Sequence, residues 1–260
     1  GTFMGWVGLL VALFLALRWV LGRTMARPRE KSGPITRFIQ FTFNMIRSPF
    51  ETFLVLKVEC SVPMAFAMMA VVILVRFFTL RFTGFQLARA DLFEVLQVWS
   101  RYQWTFTGFH LGRMDPDDIS IAAEALKILL PWILWAVANY GVSTIHGGEG
   151  FLRDILVGSA FSMAPYVVFA VPLTLLANVA TWGERGVFIA LWWGLLLWVG
   201  FLIFNQVRVI HNYGFGEACW ISLLTIFGMI ALIGAGGLTY SLTSQMVNFA
   251  REVAVELSIR

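Results

Sequence analysis

Two short polar stretches interrupt an otherwise apolar chain: "HGGEGFLRD" at residues 146–154 and "HNYGFGE" at residues 211–217. Together they offer His146, Glu149, His211 and Glu217, a nitrogen and oxygen set of the kind that binds a divalent metal. No two of these residues have the i, i+4 spacing that makes H-E-x-x-H a strong motif, so the quartet is a weak candidate and no metal is expected. A phosphate loop needs a Gly-rich turn ending in Lys and then Ser or Thr, and "GGEGFLRD" has neither residue. No serine has a His and an Asp at a separation that suggests a triad. The expectation is a chain without catalytic residues, metal or cofactor.

The plainer reading of "HGGEGFLRD" is a corner between two antiparallel helices. Gly147, Gly148 and Gly150 are expected to supply left-handed backbone there. Asp154 is expected to cap the helix that follows by accepting from its free N–H groups. Glu149 or Asp154, paired with Arg153 or Arg208, would tie neighbouring helix ends together, each pair contributing about 0.2–1 kcal/mol. If the loop instead contacts a partner, the same residues would form the contact.

The elements that position these stretches follow from composition. The chain of 260 residues is 59% hydrophobic and 13% charged, with 24 Phe and 11 Trp; soluble domains average about 25% charged. That describes an all-α, polytopic integral membrane bundle, because a span needs about 20 apolar residues with every backbone group bonded inside the helix. Six spans are expected, at roughly 3–22, 62–82, 122–142, 155–179, 187–210 and 219–242. Residues 35–57 alternate apolar and polar positions as an interfacial helix does, with Pro49 breaking it, and the tail after 242 reads as a further amphipathic helix.

The first run, 3–22, is followed rather than preceded by its basic residues, Arg18, Arg23, Arg27, Arg29 and Lys31, unlike a secretory signal. This places residues 1–33 as a membrane anchor with a basic linker, and 34–260 as a five-span domain. Lys and Arg concentrate on cytoplasmic flanks, so loops 23–60, 143–154 and 211–217 are expected in the cytoplasm. The acidic insert 86–118 and both termini are expected outside, in a multi-pass protein of the cell membrane. The net charge of +4 sits at span edges rather than in a stripe, which argues against nucleic acid as a partner. Cys60 and Cys219 are expected to stay reduced.

Polar residues inside spans mark either a buried partner or a pathway. Arg76, Asn139 and Asn178 are the candidates. Arg76 and Arg81, near a span end, are expected to snorkel to headgroups, and Glu124 and Lys127 form an i, i+3 pair. Gly158, Ser159, Ser162 and Ala164, and again Gly234, Gly236 and Gly237, would let helices approach closely.

From Pro49 onward the chain resembles the bacterial branch of the YIP (Ypt/Rab-interacting protein) domain family. The resemblance lies in the order and spacing of "SPFETF", "LRFTGF", "LPWILWAVANY", "GGEGFLRDI", "GSAFSMAPYVVFAVPLTLLANV", "IHNYGF" and "EVAVELSIR". It implies a five-span bundle with its N-terminal side in the cytoplasm and its C-terminus outside. No catalytic residue transfers from it. The absence of a catalytic or relay set and the surplus of Phe and Trp lead instead to the expected function, a non-enzymatic accessory or scaffold subunit in contact with membrane lipids and forming a hetero-oligomer with membrane transport proteins. The permease of a carbohydrate ABC importer is the partner class. The alternative is a small channel or carrier whose broken helix, "MAPYVVFAVPLTLLAN", surrounds a substrate between Pro165 and Pro172.

Overall fold

The computed structural model describes residues 33–59, 61–82, 121–179 and 185–259. The expected first span, the basic linker and the acidic insert 86–118 lie outside the described residues. The described chain is all helical: α1 (Pro34–Arg47), α2 (Pro49–Glu59), α3 (Val62–Phe82), α4 (Ile121–Ile145), α5 (Leu152–Phe161), α6 (Ala164–Val179), α7 (Arg185–His211) and α8 (Phe215–Ile259). Among the described residues, five stretches are long and apolar enough to cross a membrane: Val62–Leu80, Ile121–Ile145, Leu152–Ala177, Ala190–His211 and Phe215–Glu252.

Local chemistry explains where the helices stop. Ser48 ends α1, and Pro49, which has no N–H to give, opens α2. The expected single span at 155–179 is two helices, α5 and α6, separated by a turn at Ser162 and Met163. The cause is Pro165, which cannot donate to the Phe161 carbonyl and whose ring crowds it. Met163 N–H bonds instead to Ala160 O at 3.1 Å, tightening the turn.

The expected end of the last span near 242 is also corrected. α8 runs unbroken for 45 residues, and the amphipathic tail is its continuation. A change from apolar to amphipathic pattern does not end a helix when no breaker accompanies it.

The α5–α6 pair is the centre of the bundle, with α3, α4 and α7 around it, and it is the most buried of the five apolar stretches, while α8 is the least. α8 lies at the edge on α4 and α7. Phe161, at the break, receives the rings of Phe38 and Phe41 from α1 at centroid distances of 5.7 and 6.2 Å. Gly158 lets α7 approach: a Cβ there would lie 2.7 Å from both Gln206 Cγ and Ile210 Cδ1. Gly228 of α8 lies against Ala138, where a Cβ would make ordinary contact at 3.4 Å, and Gly234 and Gly236 face open space.

Candidate functional site

The corner at residues 146–154 meets the end of α7, and both helices that arrive there close in the same way. Gly147 (φ +73°) follows α4, and Gly148 N–H bonds to Ser143 O at 2.8 Å; Asn212 (φ 58°) follows α7, and Tyr213 N–H bonds to Arg208 O at 3.0 Å. Each pattern is a left-handed residue followed by a bond that reaches five residues back, which satisfies carbonyls the helix leaves unpaired. Asn stands in for Gly at position 212 because its short polar side chain tolerates left-handed backbone.

Only Gly147 of the three corner glycines has positive φ. Gly148 and Gly150, expected to do the same, are glycine for lack of room. A Cβ on Gly148 would lie 2.5 Å from Tyr213 Oη and 2.6 Å from His211 Nδ1, and one on Gly150 would lie 2.5 Å from Ile210 Cγ2 and 2.7 Å from His211 Cε1.

What fills that room is a hydrogen-bonded chain across four segments. Gly150 N–H donates to His211 Nδ1 at 3.2 Å, and His211 Nε2 lies 3.1 Å from Asn139 Oδ1. Because Nδ1 accepts, the ring proton sits on Nε2 and is donated to Asn139. Asn139 Nδ2 donates to Thr225 Oγ1 at 3.0 Å, and Thr225 donates to Ile221 O at 2.8 Å. His211, Asn139 and Thr225 are all buried. The Tyr213 ring stacks on His211 with centroids 5.3 Å apart, and its hydroxyl reaches Ser143 O at 3.4 Å. Burial raises the Tyr213 phenol above its ordinary value; the Ser143 bond pulls it down and the Glu217 charge adds to the rise.

A second set of contacts fixes α2 to the same corner. Arg153 Nη2 donates to Lys57 O at 2.8 Å, and Lys57 Nζ donates to Ile210 O at 3.2 Å. Each cation thus meets a helix C-terminal carbonyl, where the backbone dipoles favour positive charge. Arg153 also pairs with Asp154 at 3.3 Å, whose other oxygen accepts Phe151 N–H at 3.4 Å. Asp154 is the third residue of α5, so it returns a bond to the capping position rather than occupying it. Glu149 stays exposed, and Arg208 lies over the Phe50 ring at 5.5 Å, so the pairing expected for them is not formed.

The four weak metal candidates are therefore not brought together. Both His211 nitrogens are engaged, and Glu217 accepts Gly214 N–H at 3.0 Å to cap α8. His146 and Glu149 are exposed, and His146 Nδ1 lies 3.0 Å from Val142 O of its own helix. Among the described residues there is no group of three or more His, Cys, Asp or Glu placed to hold a metal.

At the other end of α4, Arg76 is not a snorkelling residue. Its side chain is 12% exposed, and Nε meets Glu124 Oε2 at 3.3 Å, while Lys127 Nζ meets Glu124 Oε1 at 2.6 Å. The expected Glu124–Lys127 pair is present, with Arg76 of α3 as its third member. Asn178 lies on α6, and its side chain is outside the described residues.

Sequence reasoning missed Thr225, Tyr213 and Lys57. Gln206 is fully buried against Gly158 with neither amide atom bonded. The signal the sequence carries is that Asn139 and Gln206 each stand about two turns before the loops at 146 and 212. Compared with family models, with curated proteins and with solved structures, the chain matches none.

Proposed function

We propose that this chain is a non-enzymatic accessory or scaffold subunit that lies in the cell membrane and packs against another membrane protein through α4. The carrying observation is a stripe on that helix. Leu126, Leu130, Ile133, Val137 and Tyr140 follow one another at steps of 4, 3, 4 and 3, and all are between 39% and 45% exposed. That is the seam spacing of left-handed helix pairs in membranes and in water. The adjoining face of α4, about 100° round the helix, with Trp132, Ala136, Asn139 and Ser143, is consumed inside the bundle.

The YIP-like order of segments contributes only a partner class, a transport permease. The basic residues before α1 support an orientation with the 146–154 corner in the cytoplasm and the α8 tail outside. A photo-crosslinking residue at Ile133 tests the reading, with Ala136 as the buried control. Crosslinks to one discrete membrane protein at 133 only are expected. A monodisperse monomer in mild detergent with no crosslinked protein at 133 would sink it.

A second reading, a small channel or carrier, is favoured by one observation. The α5–α6 break and the unbonded Gln206 amide lie within about a turn of each other along Gly158 to Ser162. Irregular backbone at membrane depth is tolerated inside protein or around a cavity. Flux through reconstituted liposomes that disappears with Gln206→Leu decides for transport; vesicles no leakier than protein-free ones decide against it.

A further inference from the structure

The uncovered side of α7 is a strip that ends in a charge. Leu197 and Phe201 are 71% and 58% exposed, and Phe204 and Arg208 are half-buried. Steps of 4, 3 and 4 keep these four within about 60° of one another round the helix. Val199, Leu202, Asn205, Gln206 and Val207, on the other side, are buried. Arg208 stands in the last turn of α7, at the end of the apolar stretch Ala190–His211. From Arg208 to Leu197 the strip is about 16 Å long at 1.5 Å per residue, which matches one leaflet, half of a hydrocarbon core of about 30 Å.

Aromatic rings gather at the charged end. The Arg208 guanidinium lies 5.5 Å over the ring of Phe50 in α2, and Phe204 meets Phe215, the first residue of α8, edge-on with centroids 5.5 Å apart. Lys57 Nζ, bonded to Ile210 O, holds α2 beside this end, and Phe50 and Leu54 of α2 are about half exposed. Among the described residues no carboxylate pairs with Arg208, or with Arg47, which is exposed three residues before Phe50. Asp154 is taken by Arg153 and Glu217 by Gly214 N–H, while Glu51 lies about 100° round α2 from Phe50. An aromatic face attracts a cation without neutralising it.

We propose that the strip from Leu197 to Arg208 binds one anionic phospholipid, its phosphate on the Arg208 guanidinium and an acyl chain along Phe204, Phe201 and Leu197. An arginine at the end of an apolar stretch reaches the headgroup layer, and its planar fork matches two phosphate oxygens. A zwitterionic lipid brings its own cation, which Arg208 and Arg47 repel, whereas an anionic one complements them. Either leaflet can supply such a lipid, so the site does not depend on the orientation of the chain. It lies on α7 and α2 and stands or falls without the α4 seam.

The test is photolabelling of the whole chain in phosphatidylcholine vesicles that contain a small share of a lipid with a diazirine in its acyl chain. The probe headgroup is either phosphatidylglycerol or phosphatidylcholine, and labelled positions are mapped by mass spectrometry. Labelling at 197–204 should be about fivefold greater with the phosphatidylglycerol probe, the gain expected for one arginine beside an anionic headgroup. Ile226, Phe227, Ile230 and Ile233, exposed on α8, should not distinguish the probes. Arg208→Gln should bring the two probes level at 197–204, Arg208→Lys should keep a preference, and Arg251→Gln on the tail should change nothing. Equal labelling by both probes in the parent chain would overturn the proposal without any variant, so a variant that fails to insert does not protect it. A preference that survives Arg208→Gln, or that is as large at 226–233, would overturn it too. So would a preference that millimolar inorganic phosphate abolishes, since Arg208 would then take free phosphate rather than a lipid.

Discussion

His211 Nδ1 accepts the Gly150 backbone N–H while His211 Nε2 faces Asn139 Oδ1, so one imidazole joins the corner to α4 and, through Asn139, to α8. Both ring nitrogens are used inside the fold. Removing the ring leaves a buried amide oxygen and a backbone donor without partners, each costing about 1–3 kcal/mol. His211→Ala should therefore lower the thermal midpoint in detergent by several degrees, and Asn139→Ala should do the same. Because the two residues belong to one chain of bonds, the double variant should be less destabilised than the sum. Strictly additive losses would show that the bonds are independent.

The corner glycines give a test of crowding against backbone angle. Gly147→Ala pays only for left-handed backbone, about 1–2 kcal/mol. Gly148→Ala has no such strain but would place its Cβ against Tyr213 Oη, and overpacking of this kind costs about 1–3 kcal/mol. Tyr213→Phe removes the nearest atom, so it should restore part of the stability lost in Gly148→Ala and none of that lost in Gly147→Ala. Urea or thermal denaturation of the four variants reads this directly. Equal effects of Tyr213→Phe on both backgrounds would contradict the geometry.

Much of the fold was legible because each rule concerned is local. A run of about 20 apolar residues needs only itself to be a span, and Pro49 needs only its missing N–H to separate α1 from α2. Where the outcome depended on a distant partner, the sequence was silent. His211 and Asn139 are 72 residues apart, and Asn139 and Thr225 are 86 apart. Each by itself resembles a polar residue near a membrane surface. Gly148 and Gly150 show the same limit: glycine is readable, but whether it serves an angle or a neighbour depends on the neighbour. Arg76 reads as a headgroup residue because its partner Glu124 is 48 residues away in sequence.

Arg76, Glu124 and Lys127 allow that correction to be tested. Glu124→Gln would leave Arg76 poorly solvated and unmatched by its carboxylate, and losing one partner of a buried pair costs up to about 3–5 kcal/mol. Lys127 is 29% exposed and can turn to water, so Lys127→Gln should cost little. The expected order of stability loss is Glu124→Gln, then Arg76→Gln, then Lys127→Gln, measured as thermal midpoints in one detergent. A Lys127→Gln variant as damaged as Glu124→Gln would mean that the pair with Lys127, not Arg76, secures the carboxylate.

Gln206 carries the last prediction. Its side chain is fully buried on α7, and neither Oε1 nor Nε2 has a bonding partner. An unpaired buried amide is unfavourable by about 1–3 kcal/mol, and Gln206→Met removes the polar group while keeping an unbranched side chain of similar length. If the amide is idle, the variant should be more stable, with a thermal midpoint higher by about 2–4 °C for each kcal/mol in a chain of this size. Gly158→Ala is the opposing control. Its Cβ would meet Gln206 Cγ and Ile210 Cδ1 at 2.7 Å, so it should destabilise, and Gln206→Ala on that background should recover part of the loss by vacating the contact. A Gln206→Met variant that is less stable than the parent would contradict the idle amide. It would mean that a bound water or small polar solute bonds the amide in the folded protein, beside the break where α5 gives way to α6.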